Sequence, residues 1–452
     1  MSTRREEAKP AKPGRPTKPG KPTWLTRNVF TLSWVSLLQD AAGEMLYPLM
    51  PVFLNTVLGA PAAVIGIIEG AAEGTMAFIK LISDKLNKFL PRKLMVFAGY
   101  ASATTGSVII ALSLTWPVVL VGRVVDRFGK GLRSAPRDAI LMRGTEPRTR
   151  GRIIGFHRSM DTAGAVIGPI LTLMLLAIFD DNIRAVLWFA VVPAVASTLL
   201  VLLIKDGGMR PGRARSGTAD EPPSDEGRLD AVAVPAGVSS HATPTPTPTS
   251  ATPALASTDP LPPKLRRLIT VLAIFSLVNF PDALLLLHLS LSGFSPTEVV
   301  AVYLVFNIAY ALMSFPVGLL ADSLGSKYVY AIGLLCFAIT YAGLAFTNDM
   351  LIAFALMVVY GGFSAANDTV GKSWAAKLAP AHLQLKAQAR LQGFSGFGIL
   401  IAGIWAGLAW NVGAGIALGD GGVPLLISAG FAVLVAIYVA IFAPRSGFAA
   451  TR

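Results

Sequence analysis

The chain of 452 residues contains a single cysteine, Cys336, so no intrachain disulfide is possible. Its four histidines are scattered, and no His/Cys grouping suggests a metal centre or a bound cofactor. Charge is scarce as well: Asp, Glu, Lys and Arg make up 14% of the residues, against 53% hydrophobic. A soluble domain carries about 25% charged residues, so this composition excludes an ordinary water-soluble globule. No G-x-x-x-x-G-K-[ST] stretch is present, which removes the commonest nucleotide-phosphate loop. No catalytic set is recognisable, and an enzyme is not expected.

What the chain does have is apolar length. A bilayer crossing needs about 20 apolar residues, and twelve segments qualify. The first six run over 29–57, 62–83, 93–114, 116–140, 153–177 and 184–204, and the second six over 265–288, 296–320, 328–347, 350–371, 390–412 and 423–443. The expected architecture is therefore all-α and membrane-embedded, in two six-helix bundles over 29–204 and 265–443. Residues 1–28 read as a disordered basic arm, and 444–452 as a tail. The arm is not a signal peptide, because the apolar segment after it is too long and carries acids. Between the bundles, 205–264 is rich in Pro, Ser and Thr and includes Thr243-Pro-Thr-Pro-Thr-Pro-Thr249, a composition that reads as a disordered linker.

The net charge of +13 raises nucleic acid as a partner, but its placement argues otherwise. Of the 39 basic residues, 35 fall in the N-terminal arm, the alternate loops, the linker and the tail. That asymmetry places both termini and the linker in the cytoplasm.

The charges inside the spans are unevenly shared. Segments three, six, nine and twelve have ionisable-free interiors, whereas one, four, seven and ten carry Asp40 and Glu44, the Arg123 cluster, Asp282, and Asp368 with Lys372. Segments two and five add Glu69, Glu73 and Asp161. A charge at mid-bilayer costs about 2.5–3.5 kcal/mol or more, so these groups should face protein or water. Every third helix is then scaffold, and the rest surround a polar cavity.

Two internal similarities share one offset, Asp84 with Asp322 and Gly155-Phe156 with Gly393-Phe394, as expected of repeated halves. The stretch Gly318, Asp322, Gly325, Ser326, Lys327 meets the pattern G-x-x-x-D-x-x-G-[RKS]-[RK]. Asp84 and Lys88 hold the same places in the first half, where Lys80 and Asn87 replace the glycines. Here the chain resembles the major facilitator superfamily over nearly all its length outside the arm and linker. The resemblance implies a cavity bounded by the first, fourth, seventh and tenth helices. Two further patterns of that family are met in part. In R-x-x-x-G-x-G, Arg123 and Gly129 fit while Arg127 takes the first glycine position. In g-x-x-x-G-P-x-x-G-G, Gly164, Gly168 and Pro169 fit, while Thr172 and Leu173 replace the closing glycines. The run Asp126–Asp138 and the stretch after Gly155 look like a prokaryotic subgroup, which implies the bacterial inner membrane.

The expected activity is secondary transport of a small solute by alternating access, coupled to protons or another ion. The alternatives are an uncoupled facilitator or a non-transporting receptor or scaffold. Beyond the bilayer, the substrate and the coupling ion, no partner is expected, and the chain should act as a monomer.

Asp40 and Glu44 lie four residues apart, on one helix face, and are expected opposite Arg123 and Arg127. Glu69 and Glu73 repeat the spacing and are candidate proton carriers. Arg123, Asp126, Arg127 and Lys130 share one side of a helix; Arg123 is the candidate fixed cation, with a salt bridge to Asp126 as its structural alternative. Asp161 follows His157 by one turn and can join a proton path. Asn279 and Asp282 flank Pro281, where a broken helix exposes backbone for binding. Tyr303, Asn307 and Tyr310 share a face that can line the cavity. Arg133, Arg137 and Asp138 are expected at the cytoplasmic gate. Asp84, Lys88, Gly318, Asp322, Gly325 and Lys327 are expected to lock the inner face.

Overall fold

A computed structural model describes residues 24–86, 89–142, 149–204, 259–413 and 419–444. Within those residues all regular structure is helical. Only helices or closed barrels satisfy every backbone polar group in lipid, and this chain takes the first solution.

The first span is α1 (Arg27–Leu46), α2 (Met50–Val52) and a wide π turn over Phe53–Val57. Pro48 and Pro51 lack amide protons, which is why the first span changes register here. Single helices form the next five spans: α3 (Ala62–Leu86), α4 (Arg92–Leu112), α5 (Trp116–Leu141), α6 (Arg150–Ile178) and α7 (Ile183–Val201). The seventh span is split into α8 (Pro263–Ser276) and α9 (Asp282–Leu291), with Pro281 extended between them at ψ 138. Then come α10 (Pro296–Leu324) and α11 (Ser326–Phe346). The tenth span is α12 (Met350–Ala365), a π stretch Ala366–Gly371 and α13 (Lys372–Leu378). α14 (Gln384–Leu408) and α15 (Gly422–Phe442) complete the set.

Nine of the spans are long and apolar enough to cross a membrane, among the described residues. The other three are the first, fourth and seventh, which carry charge or are broken. Every sequence-derived span coincides with an observed one to within about seven residues at either end, with the first, seventh and tenth interrupted.

The helix starts are written locally. Ser295 and Glu298 form a reciprocal cap on α10, Asn182 accepts from the Ala185 amide at α7, and Asp349 accepts from Ile352 at α12.

In the first half, α4 packs on α5 and α7, and α1 packs on α6 and α7; in the second, α11 packs on α12 and α15. The halves meet chiefly through α3 with α14 and α6 with α10. The third, sixth, ninth and twelfth spans keep their principal packing within their own half. Their other faces expose Leu112, Val192, Leu199, Ile339 and Leu434, the apolar surface that lipid covers. Glycines set the closeness of the seam between halves. A Cβ on Gly403 would stand 2.6 Å from the Gly66 carbonyl oxygen, and one on Gly407 2.7 Å from Ala63 Cα.

Candidate functional site: a charged cavity between the halves

Along α5, Gly122 and Gly129 face α4. A Cβ on Gly106 would meet the Gly122 carbonyl oxygen at 2.6 Å, and one on Gly129 would meet Ala103 N at 3.0 Å. This contact leaves Arg123 and Arg127 pointing towards α3. There Arg123 Nε donates to Glu69 Oε1 at 2.8 Å, and its Nη2 donates to Glu69 Oε2. Arg123 and Glu69 are only 4% and 1% exposed, so each neutralises a charge that neither water nor lipid can serve. One turn on, Arg127 Nε stands 3.4 Å from Glu73 Oε1, and Asp126 Oδ2 lies 3.7 Å from Arg123 Nη1 and 4.0 Å from Arg127 Nε.

That ladder corrects the expected pairing of the first span with the fourth. Arg123 and Arg127 belong to Glu69 and Glu73, because α3 and α5 pack along their length while α1 only grazes α5. The two glutamates are likewise not a carboxylate pair facing each other. Asp40 and Glu44 lie where α1 packs on α6: a Cβ on Gly164 would stand 3.1 Å from Asp40 Cβ, and one on Gly168 2.8 Å from Glu44 Cβ. A Cβ on Gly43, between them, would meet nothing within 4 Å. Glu44 Oε2 accepts from the Tyr303 hydroxyl at 2.6 Å across the boundary between halves, and Tyr47 packs on Tyr303 with ring centres 5.5 Å apart.

The fifth-span pattern explains how α1 is held. Cβ atoms on Gly164 and Gly168 would stand 2.5 Å from the Leu37 and 2.6 Å from the Ala41 carbonyl oxygens, so only glycine allows this approach. Thr172, in place of a closing glycine, donates to the Met45 carbonyl at 3.2 Å and keeps the contact with a hydroxyl. Asp161, one turn towards the linker side, holds a buried Oδ1 without a hydrogen-bond partner, 3.8 Å from His157 Nε2. His157 also touches Ser33 and Ser36, each at 3.4 Å.

Across the cavity, Asp282 Oδ1 accepts from the Tyr360 hydroxyl at 2.5 Å, and Asp368 Oδ2 accepts from Tyr310 at 3.1 Å. Lys372 Nζ lies 3.2 Å from Asp368 Oδ1, and Asn367 Oδ1 accepts from Tyr330 at 3.0 Å. A cavity of about 210 Å³ runs between the halves here, with Glu73, Lys80, Asn279, Asn367, Asp368 and Gln392 in its wall. Of Tyr303, Asn307 and Tyr310, the two tyrosines reach cavity carboxylates, while Asn307 is buried.

The expected gate residues separate into two kinds. Arg133 is buried inside the first half, 4.3 Å over the Tyr100 ring and donating to the Gly99 carbonyl at 3.3 Å. Its expected interfacial place is thereby corrected: the Gly99–Arg133 approach draws it between α4 and α5. Arg137 donates to Ser36 Oγ at 3.0 Å and to the exposed Asp138 at 3.1 Å. Asp322 pairs with Lys377 at 2.7 Å, and Lys327 donates to the Ala440 carbonyl at 3.0 Å, so both tie elements of the second half to each other. Gly325 turns the chain at φ 93, while a Cβ on Gly318 would meet only Thr369, at 3.5 Å. Lys88 and the side chain of Asp84 lie outside the described residues.

Sequence reasoning missed Tyr47 and Tyr360, which sit in apolar runs with no local signal beyond a hydroxyl where phenylalanine would serve. It also noted Lys80 and Lys130 without seeing that the crossing of α5 on α3 brings them together.

The sequence profile described as Major Facilitator Superfamily matches residues 32–292 and 268–451. An uncharacterized MFS-type transporter of Methanocaldococcus jannaschii is 27% identical over 420 residues, covering 89% of this chain and 94% of that one. A multidrug resistance protein MdtH of Aeromonas hydrophila is 30% identical over 162 residues, 35% of this chain and 40% of that one. Among solved structures, the fold is similar to a nucleoside transporter NupG mutant, at TM-score 0.70 and 14% identity over 92% of this chain and 100% of the other. It is similar also to a D-xylose–proton symporter, at TM-score 0.70 and 15% identity over 92% and 98%. Two profile matches that together span both bundles, a relative aligned from end to end and a cavity between paired six-helix halves lead to one conclusion: the chain belongs to the Major Facilitator Superfamily of membrane transporters.

Proposed function

We propose that this chain is a secondary transporter that carries a small solute by alternating access, with protons as the coupling ion. The observation that carries the reading is the asymmetry of the boundary between halves. On the side away from the linker it is shut by Tyr303 on Glu44, by Tyr47 on Tyr303 and by the glycine contacts of α3 with α14. Towards the linker side the cavity groups reach solvent: the Asp368 and Lys372 side chains are 46% and 48% exposed. Rocking the halves about the seam would exchange these conditions.

The carboxylates assigned to proton exchange are Asp40, Glu44, Asp161 and Asp282, none of which pairs with an arginine among the described residues: Glu44 and Asp282 accept from tyrosine hydroxyls, Asp161 lies beside His157, and Asp40 lies in the field of Lys130. Glu69, Glu73 and Asp126 instead face Arg123 and Arg127. The ladder is then a fixed frame, and α1, α6 and α9 carry the titrating groups. The basic residues clustered at the linker side support a cytoplasmic linker and an inner-membrane location, with the chain working as a monomer.

Spin labels at Val57 and Leu291 on one side, and at Phe89 and Leu324 on the other, test the motion in a Cys336→Ser background. Two distance populations are expected on each side, in opposite proportion, moving with pH and losing that dependence in Asp40→Asn. One fixed distance on both sides at every pH would remove transport and leave the scaffold reading; two populations indifferent to pH would leave an uncoupled facilitator.

A further inference from the structure

The cavity's cations do not all have counter-ions. Arg123 and Arg127 are taken by Glu69, Glu73 and Asp126, and Lys372 by Asp368. Lys80 and Lys130 remain. Among the described residues, neither has a carboxylate within 4.0 Å; Lys80 touches only the neutral side-chain oxygen of Gln392 at 3.4 Å, and no acceptor lies within hydrogen-bond reach of Lys130 Nζ.

The two are neighbours by construction. Where α5 crosses α3, a Cβ on Gly131 would stand 2.8 Å from Ile79 Cβ and 3.0 Å from the Met76 carbonyl oxygen. Lys130 immediately precedes Gly131 and Lys80 immediately follows Ile79, so this single close approach brings the two lysines near each other, with Lys80 in the cavity wall. Lys80 lies in the repulsive field of Lys130 and Lys372, opposed by Glu73, which Arg127 already engages. Lys130 is the first cation in the field of Asp40 and of Glu44, yet neither closes on it to form an ion pair. Two partly buried ammonium groups within each other's field are costly without an anion to offset them.

Besides Glu73, Asp368 and Lys372, which belong to the ion pairs already described, the wall is built for hydrogen bonding. Around Lys80 the cavity presents Asn279, Asn367, Gln392, Ser276 and Ser395. Lys80 also stands where the family's loop pattern has its first glycine, so this chain has replaced a packing residue with a cation.

We propose that the transported solute is a small polar organic anion, its carboxylate or phosphate held between Lys80 and Lys130 and its uncharged polar groups met by the amides and hydroxyls opposite. This specifies the substrate class of the transport reading above and rests on it. Binding of the anion would satisfy Lys130 and so withdraw it from Asp40 and Glu44, which links substrate charge to the carboxylates of α1.

Pyridoxal 5′-phosphate, an anionic aldehyde that forms a borohydride-reducible imine with lysine, tests the site without knowledge of the substrate. The purified full chain in nanodiscs is treated with it, or with uncharged pyridoxal, then reduced and mapped by mass spectrometry. Modification of Lys80 or Lys130 is expected to be about tenfold or more faster with the phosphate form, while exposed Lys264 shows no comparable preference. Inorganic phosphate or citrate in excess should protect. Lys80→Gln should abolish the preference at Lys130, and Lys80→Arg should retain it, which separates charge from folding. Equal rates with the two reagents, or no modification at either lysine while Lys264 reacts, would overturn the anion site. The spin-label distances report independently, so a moving protein without reagent preference refutes the anion site alone, and a selective but immobile one refutes transport alone.

Discussion

Glu69 and Arg123 lock α3 to α5 through two parallel hydrogen bonds in the driest part of the first half. Their partnership decides which charges are fixed and which are free. With Arg123 committed there, and Arg127 to Glu73, the carboxylates of the first span are left to Tyr303, the field of Lys130 and the glycine face of α6.

Removing one member of that pair strands the other. Arg123→Ala is expected to lower stability by about 3–5 kcal/mol, read as a fall in unfolding temperature in detergent. The double change Arg123→Gln with Glu69→Gln should recover a substantial part of the loss. If the single variant melts with the wild type, the pair contributes no structural constraint.

The Tyr303–Glu44 bond closes the far side, and a hydrogen bond to a carboxylate contributes about 1.5–3 kcal/mol. Tyr303→Phe should therefore shift the population towards the outward-open form by about tenfold or more. Gly43→Cys in a Cys336→Ser background offers the readout, since a side chain there meets open space. Labelling by a charged maleimide added from the side away from the linker should accelerate when Tyr303 is phenylalanine; an unchanged rate would show that this bond does not hold the closure.

The contact of α1 with α6 predicts an order of severity. Thr172→Val removes one hydroxyl bond, worth about 1 kcal/mol. Gly168→Val forces a branched carbon against the Ala41 carbonyl and the Glu44 side chain, which must part the helices. Melting in detergent should show a modest drop for the first and a large drop or failure to fold for the second, and the reverse order would contradict the packing described.

At the turn between the eighth and ninth spans, Gly325 adopts φ 93 and ψ 138, a backbone region closed to residues with a side chain. Gly325→Ala should cost about 1–3 kcal/mol. Lys377→Gln removes the partner of Asp322, whose side chain is 63% exposed, and should change stability by no more than about 1 kcal/mol. Comparing the two melting shifts separates the conformational part of this loop motif from its charge.

Much of the fold was legible in local signals. Apolar runs located the spans, and Pro281 between Asn279 and Asp282 marked the break in the seventh. The candidate site was legible as a list of costly residues but not as a set of pairs. Asp282 with Tyr360, or Glu44 with Tyr303, joins segments whose separation carries no periodic signal. Arg133 looked like a gate residue because it follows a charged run near a span end, yet its rotation about α5 sends it inside.

The sequence by itself determined how many times the chain crosses the bilayer, which crossings carry charge and on which side the basic residues gather, because each depends on local length and composition. Only the tertiary structure decided which carboxylates are bound by arginine and which stay free, and that Lys80 and Lys130 come together where α5 crosses α3. Those outcomes depend on the rotation and approach of helices far apart in the chain, set by glycine contacts such as Gly131 on Ile79 and Gly164 on Leu37, and no spacing within one helix encodes them.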